Sequence, residues 1–599
     1  MALAEQTAVS AGGDIGTIAR SSPTAAPASF PRVWAVDFEY VARSGEQPRP
    51  VCVVARELGS GLEESIWLAD GSGPRPRYVD DHESLFVAYF APAELSCHLA
   101  LGWPLPKNVL DLFVEFRAAQ NGRQPVAGFG LLGALTHYGL PALDAVEKDE
   151  MRALILRGGP YSPEEREAIL AYCKTDVVAL ERLLPKMAPA FDVPRALNRG
   201  RYQRAVAEME HTGVPIDTTV LQQLETSWDD VRVQLIERSD VAYGVYEGTR
   251  FCTNRFASYL EREGIAWPRT PAGNLVLDKD TFKEQARIHP QLKILKELRV
   301  TLSQMKLSDL AVGSDGRNRC MLSPFSSRTG RNQPSTSRFI FGPSAWLRSL
   351  IKPGSGKAVA SIDWSQQEFG IPAVLSGDDA MREAYVSGDP YISFAKLAGA
   401  VPSDATKRTY PEIREQYKAC VLGVQFGMGA RGLARRLNTS EAVARQLLEQ
   451  HRRSFPKFWA WSDAAVDYAM LRGRIHTVFG WPLYVGSDPN PRMLRNFPTQ
   501  ANGAEMLRLA CCFATEAGVR VCAPIHDALL IEADSDDIEG AVERTQMAMA
   551  EASRAVLDGF ELRTDATIVR YPDRYVDERG VEMWNTVMAI LADLEQQAD

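Results

Sequence analysis

Residues 358–370 read AVASIDWSQQEFG, and residues 519–533 read VRVCAPIHDALLIEA. The first segment predicts a short strand that ends at Asp363 and passes into a helix. The second has two apolar runs, VRVCAPI and ALLIEA, on either side of His526 and Asp527, and predicts a β-hairpin with Asp527 at its tip. Phosphoryl transfer needs in-line geometry and divalent metals to neutralise developing charge, and two carboxylates on neighbouring strands can bridge such ions. Pattern alone equally allows both aspartates to be ordinary turn residues.

Outward from these segments the chain sorts into regions. Strand-like runs begin at Val33 (VWAVDFEY) and Val51 (VCVVARE), and helical patterns dominate from Asp111 to Met187, which predicts an α/β domain. The pattern breaks between Pro189 and Arg199 (PAFDVPRALNR), marking a boundary. Amphipathic helical runs continue to about Leu310, and a Gly-, Ser-, Arg- and Pro-rich stretch follows (SPFSSRTGRNQPSTSRF). A length of 599 residues, 45% hydrophobic and 24% charged, fits a multi-domain globular chain. There is no run of apolar residues long enough to predict a membrane span. The first thirty residues are rich in Ala, Ser, Gly and Thr and read as a flexible tail; Glu5 and Asp14 argue against a transit peptide. Nine scattered cysteines without a CxxC pair read as reduced thiols of a cytosol-like compartment. The net charge of −9 argues against nucleic acid as a partner, yet residues 404–457 carry eleven Lys and Arg against five Asp and Glu. A local basic surface is therefore present.

A second set of carboxylates lies near the N-terminus. Asp37 and Glu39 alternate on one predicted strand and share a face. Asp111 opens a helical run (DLFVEFRAA), and Tyr172 and Asp176 are four apart in AILAYCKTDVVALERLL, again on one face. Carboxylates without nearby Cys or His suit Mg²⁺ or Mn²⁺, and two such ions can drive phosphodiester hydrolysis. A lone DxE is common and by itself fits solvated acids at element ends better than a catalytic pair.

The order and context of these motifs carry a resemblance. DFE on a strand, then Asp111, then YxxxD on a helix, resembles the proofreading 3′→5′ exonucleases with four acids and a tyrosine. DWSQQE resembles the DYSQxE motif of family A DNA polymerases, the bacterial DNA polymerase I-like family, and IHDA resembles their HDE turn. Arg414, Lys418, Leu422 and Phe426 recur every four residues in REQYKACVLGVQFG, which is similar to the family's fingers helix. Arg492, Asn496 and Gln500 match RxxxNxPxQ, and TGR with Arg331 matches the segment beside the primer end. The resemblance implies a multi-domain α/β chain: a flexible tail at 1–30, a ribonuclease-H-like exonuclease domain at 31–190 and a right-hand polymerase domain at 195–599. Within the latter the thumb falls at about 215–320, the palm at about 321–375 and 485–599, and the fingers at about 376–484. On this division no 5′ nuclease domain is expected ahead of the exonuclease.

The resemblance also implies roles. Asp363 and Asp527 hold two Mg²⁺ (or Mn²⁺) at the polymerase site; Asp37, Glu39, Asp111 and Asp176 hold two more at the exonuclease site, where Tyr172 orients the attacking water. Arg414 and Lys418 steady the triphosphate, with Lys418 a candidate proton donor. Gln366, Glu368, Tyr391, Leu422 and Phe426 contact the nucleotide, Glu368 as the steric gate against ribose. Arg331, Arg492, Asn496, Gln500 and His526 contact primer-template DNA. The expected partners are that DNA and dNTPs, with room for processivity or replisome proteins. The chain is expected to act as a monomer in replication or repair, in the cytoplasm of a bacterial or phage-infected cell or in an organelle. The sequence departs from the family at Gly370 (usually Arg), Leu422 (usually aromatic), Phe426 (usually Tyr), Ala528 (usually Glu) and Asp389-Pro390-Tyr391 (commonly Asp-Ile-His). Because Phe426 has no hydroxyl, Glu368 is expected to find another donor or a water, or to shift its pKa upward.

Competing motifs are weaker. Gly427, Gly429 and Gly432 form GxGxxG, but no strand ending in an acid follows at the distance a dinucleotide site needs. PGSGKA at 353–358 lacks the first glycine and the final Ser or Thr of a phosphate loop and reads as a turn. Arg435, Arg436, Arg452 and Arg453 fit a solvated face as well as a DNA-backbone contact. A single-subunit RNA polymerase is disfavoured by Glu368 and the filled exonuclease positions, and a silent DNA-binding protein by the retained carboxylates.

Overall fold

A computed structural model describes residues 30–71, 73–141, 145–304 and 307–598. The tail expected at 1–30 lies outside these residues except for Phe30.

The N-terminal region is built on a mixed sheet of β1 (Val33–Val41), β2 (Arg49–Glu57), β3 (Glu63–Trp67), β4 (Leu85–Ala88) and β5 (Asn108–Asp111), in the order β3-β2-β1-β4-β5. The first three pair antiparallel, while β4 and β5 run parallel to β1. Alternation along β1 sends Trp34, Val36 and Phe38 into one core and Ala35 into another. Asp37 and Glu39 therefore share the face of Ala35. That face is covered by a long helix with a capping box between Ser162 and Glu165. Its buried Ile169, Cys173, Val177, Leu180 and Leu184 follow helical spacing.

The helices include α1 (Pro92–Ala100), α2 (Leu112–Gln120), α3 (Ala145–Arg157), this long α4 (Pro163–Met187) and α5 (Val193–Thr212). The sequence break at 189–199 is shorter than expected: Asp192 caps α5 by accepting from Arg195 N, so the helix starts at Val193. α5 joins the two halves of the molecule. Its Gly200 lies so close to β5 that a Cβ there would stand 1.8 Å from the Val109 carbonyl oxygen. Beside it, Arg199 makes a buried ion pair with Glu115 at 2.7 Å.

The end of α2 is fastened to the C-terminal half. Arg117 donates to the carbonyls of Phe325 and Ser326. Asn121 Nδ2 donates to the Arg328 and Pro482 carbonyls at 2.7 and 2.6 Å. Gly122 (φ 92°) passes under the Tyr484 carbonyl oxygen, which would be 2.3 Å from an added Cβ. Arg123 lies 4.0 Å over the Tyr484 ring.

The C-terminal half centres on an antiparallel sheet of β6 (Lys357–Trp364), β7 (Arg520–Ile525), β8 (Ala528–Asp534) and β9 (Thr564–Arg570), in the order β7-β8-β6-β9. Ala358, Ala360, Ile362 and Trp364 of β6 are buried, whereas Asp363 points to the other, open face. The core beneath also takes in the helices Pro491–Glu516 and Ile538–Val556. Helices Thr218–Asp240, Thr253–Arg262, Lys279–Ile288 and Lys293–Gln304 gather an aromatic cluster in which Arg299 lies 4.1 Å over Phe251 and 4.4 Å over Phe282. Between the strands of this sheet lies a helical insertion containing α6 (Gln367–Leu375), α7 (Pro390–Leu397) and α8 (Pro411–Gln425). Buried His451, pushed down to about 3 by burial, sits there among Phe394, Phe455 and Phe458 as a neutral core ring.

Gly200→Ala is expected to force α5 away from β5, costing about 1–3 kcal/mol as an overpacked contact. Calorimetry should show a lower melting temperature; an unchanged one would mean that the close approach at Val109 is not a constraint on stability.

Candidate functional site

The C-terminal sheet brings Asp363 and Asp527 together. Register places Asp363 opposite Ala528, the residue after Asp527, and Trp364 N donates to the Asp527 carbonyl at 3.3 Å. Burial and Asp527 push the Asp363 carboxyl above the usual range, and burial does the same to Asp527. Among the described residues neither carboxylate is tied to another side chain. Two repelling carboxylates with free oxygens suit Mg²⁺, which keeps several waters and commonly takes one or two protein carboxylates plus substrate phosphates. Among the described residues no three His, Cys, Asp or Glu side chains converge tightly enough to hold a metal by themselves.

The surroundings depart from the sequence-based expectation in several places. Asp565 of β9 stands directly opposite Asp363, so both side chains leave the same face; Ser365 Oγ donates to it. Its surroundings in the sequence, TDATIVR, carry no motif that would mark it. Gly370 has no room for the family's arginine, since even a Cβ would meet Leu562 at 2.5 Å and Tyr385 at 3.1 Å. Gln366 adopts a left-handed conformation (φ 50°) at the start of α6 and accepts from Arg563 at 3.1 Å. Glu368 has found a donor in place of the missing tyrosine hydroxyl: Gln500 Nε2, at 3.3 Å. Phe426 is 42% exposed at the end of α8.

Arg414 is engaged with protein partners rather than open to a ligand. It pairs with Asp389 at 2.5 Å and Glu415 at 2.7 Å, and lies 5.3 Å over the buried Tyr391 ring. Burial pushes the Tyr391 phenol up to about 12. Lys418 is the freer cation on that flank, 39% exposed and 3.5 Å from Glu415; Leu422 is half-buried one turn further on. Arg331 is largely buried, its charge facing Asp527 and Glu368, and its Nε has no partner. Asn496 likewise buries an unpartnered Oδ1. Arg492 is exposed and packs against Gly427. His526 sits left-handed (φ 56°) at the hairpin tip, its imidazole held below the usual range by burial and by Arg331, Arg348 and Arg579.

In the N-terminal domain the carboxylate set differs from the expected one. Asp37 and Glu39 of β1 face Tyr172 and Asp176 of α4, as the spacing predicts, but Asp111 is not among them. Its carboxylate accepts from Phe90 N at 2.9 Å, Ala91 N at 3.0 Å, Phe113 N at 2.9 Å and Gln203 Nε2. Every one of these bonds serves structure: Asp111 fastens the left-handed turn at Phe90 (φ 70°) between β4 and α1 and caps α2. The acid that joins the set is Glu94 in the first turn of α1, which is 4% exposed and accepts from Phe38 N at 2.8 Å. Its signal in the sequence is an apolar run, SLFVA, followed by Pro92 at a helix start and an acid in the first turn.

This set is strongly desolvated. Burial, then Asp176, raises Asp37 well above the usual range; burial, then Asp37, pushes Glu39 up to about 10 and also raises Glu94. Cys173 Sγ donates to Asp37 at 3.3 Å. Burial raises Asp176, opposed by Lys148, whose Nζ donates to both Asp176 oxygens at 2.9 and 3.1 Å. Burial likewise raises the Tyr172 phenol. The oxygen donors suit a hard cation, but the arrangement does not fit the expected pair of ions, because Lys148 already holds Asp176.

A carboxyl whose folded pKa is raised binds its proton more tightly when folded, so its stabilisation is present at low pH and fades as pH rises. For Glu39 that window runs from 4.5 to about 10. In metal-free buffer, Asp37→Asn with Glu39→Gln should therefore gain melting temperature over wild type as pH rises from about 4.5 to 8. A difference that stayed flat, or grew toward acid, would contradict the burial of these charges.

Residues 335–568 match the family described as "DNA polymerase family A". The chain is similar to "DNA polymerase I, thermostable" of Thermus caldophilus, 27% identical over 380 residues, covering 58% of this chain and 45% of that protein. It is also similar to DNA polymerase I of Mycobacterium tuberculosis (strain ATCC 25618 / H37Rv), 27% identical over 360 residues, covering 55% and 39%. A third relative is DNA polymerase I of Aquifex aeolicus, 24% identical over 440 residues, covering 67% and 75%. The matched part spans less than half the length of the first two relatives. Among solved structures, the POL domain of Pol1 from M. smegmatis, in complex with DNA primer-template and dNTP, superposes with a TM-score of 0.71 at 22% identity, covering 92% of this chain and 98% of that one. At that identity the likeness is one of fold. Asp363 and Asp527 both lie within residues 335–568, the segment that matches the DNA polymerase family A model.

Proposed function

We propose that this protein is a template-directed DNA polymerase that adds dNTPs to a primer 3′ end, with a 3′→5′ proofreading exonuclease in its N-terminal domain, acting in DNA replication or repair. The observation that carries the reading is the convergence of Asp363 and Asp527, 164 positions apart in sequence, at one end of the palm sheet with untied oxygens. When bound there, Mg²⁺ supplies charge neutralisation at the reacting phosphate and lowers the pKa of the attacking 3′-hydroxyl.

The chain's own groups do the rest. Lys418 offers its ammonium to the triphosphate and is the candidate proton donor to the leaving pyrophosphate. Arg414 acts indirectly, its ion pair with Asp389 locking α7 to α8 and holding Tyr391 in place. Leu422 and Phe426 give the base an apolar flank. Glu368, steadied by Gln500, blocks the space of a ribose 2′-hydroxyl by bulk. Arg331, Arg492, Asn496 and His526 face the primer-template. In the N-terminal domain Asp37, Glu39, Glu94 and Asp176, with Tyr172, form the hydrolytic centre.

The two activities should separate. Asp363→Asn or Asp527→Asn is expected to abolish primer extension with Mg²⁺ while sparing degradation of a primer 3′ end; Asp37→Ala with Glu39→Ala should do the reverse. Loss of both activities in a folded single-site variant would sink the two-site reading.

Sugar selection gives a second test. Single-nucleotide insertion should favour dNTP over rNTP strongly in wild type, and Glu368→Ala should raise rNTP use at least tenfold, about 1.4 kcal/mol of lost discrimination. Phe426→Tyr should leave selection unchanged or tighten it modestly. An active Glu368→Ala variant with unaltered selection would remove the gate assignment.

A further inference from the structure

The N-terminal carboxylate set already contains a cation. Lys148 Nζ is shared between the two oxygens of Asp176, the place an ion chelated by that carboxylate takes. The lysine side chain is only 24% exposed, and its ammonium stands 5.9 Å over the Tyr172 ring, so it is held between the two residues that α4 contributes to the site. Its field reaches Asp37 and Glu39 as well, favouring their charged forms. The lysine is delivered by α3, which packs against both β1 and α4, so its position follows from the fold rather than from a free surface chain.

We propose that Lys148 is the resident cation of this centre, replacing one of two divalent ions, so that the site binds a single divalent cation. The proposal rests on reading the carboxylates as a metal-dependent hydrolytic centre. Three physical points favour it. A partly buried ammonium requires a charged partner, and Asp176 is the partner it has. A divalent ion chelated by both Asp176 oxygens and the Lys148 ammonium cannot share that position, because two cations at contact distance repel strongly in a desolvated pocket. Asp37, Glu39 and Glu94, by contrast, make no ion pair with a basic side chain among the described residues; they do not close a metal cage by themselves, so a single hard cation there is completed by water or substrate oxygens.

The test counts Mn²⁺ bound at this centre by electron paramagnetic resonance. The protein carries Asp363→Asn and Asp527→Asn so that the palm does not contribute. One bound Mn²⁺ is expected with Lys148 present, two with Lys148→Met, and one again with Lys148→Arg, which keeps the charge. Two ions with Lys148 intact, or the same count after Lys148→Met in a folded protein, would overturn the proposal. Should Lys148→Met fail to fold, the count in the Lys148 protein and in Lys148→Arg decides. No Mn²⁺ bound to any of these proteins would instead remove the metal-dependent reading on which the proposal stands. A second readout is the Mg²⁺ dependence of 3′ hydrolysis, expected to be hyperbolic with Lys148 and steeper in Lys148→Met.

Discussion

The antiparallel register of β6 governs the rest of the C-terminal half. Seven residue pairs join it to β8 and seven to β9. Side chains alternate, so a slip of one residue would drive Asp363 into the space filled by Ile362 and Trp364 and turn those apolar groups outward. The core under the sheet forbids that exchange: Ala358, Ala360, Ile362 and Trp364 are at most 1% exposed. Asp527 then falls into place because the β7–β8 turn is two residues long and β8 pairs directly with β6. Burial of hydrocarbon on one face thus sets the separation of two charges on the other.

The elements legible in the amino-acid sequence are those whose signal is local. Period-two alternation marks β1 and β6, paired apolar runs mark the β7–β8 hairpin, and four-residue spacing places Tyr172 with Asp176 and aligns Arg414 with Lys418. Contacts made across space leave no such trace. Glu94 sits after a strand of four residues and beyond a left-handed phenylalanine, so no periodicity connects it to Asp37. Asp111 carries the residue type expected of a metal ligand, but its meaning depends on Gln203, 92 positions away. Arg414 reads as a free cation in the sequence because its partner Asp389 belongs to another helix. That Glu368 needs a replacement donor follows from chemistry alone, yet the donor's identity as Gln500 depends on the packing of α6 against the helix Pro491–Glu516.

The two acidic centres answer the same electrostatic problem differently. At the C-terminal sheet the carboxylates stand at a strand end and a hairpin tip, where solvent moderates their repulsion. In the N-terminal domain they are drawn inside, where repulsion is stronger and protonation is the alternative to a cation. Lys148 belongs to that second solution; among the described residues no lysine pairs with Asp363 or Asp527 in the same way. Asp565 adds a further acid beside Asp363 where the sequence has Ala528 after His-Asp, which leaves this end of the sheet more acidic than its motif suggests.

The fastening at the end of α2 has a consequence for modularity. The loop at 325–331 ends in Arg331, and its carbonyls are gripped from both halves: Ser326 by Arg117, Arg328 by Asn121 and Trp481, Gly330 by Arg508. A chain cut near residue 190 would orphan acceptors that belong to the C-terminal half, each at a cost of about 1–3 kcal/mol, against a total stability of about 5–15 kcal/mol for an ordinary domain. It would also uncover the apolar surface that Val114 and Ala118 share with that half. The N-terminal domain therefore works as a brace for the loop that carries Arg331, a role that does not depend on its carboxylates.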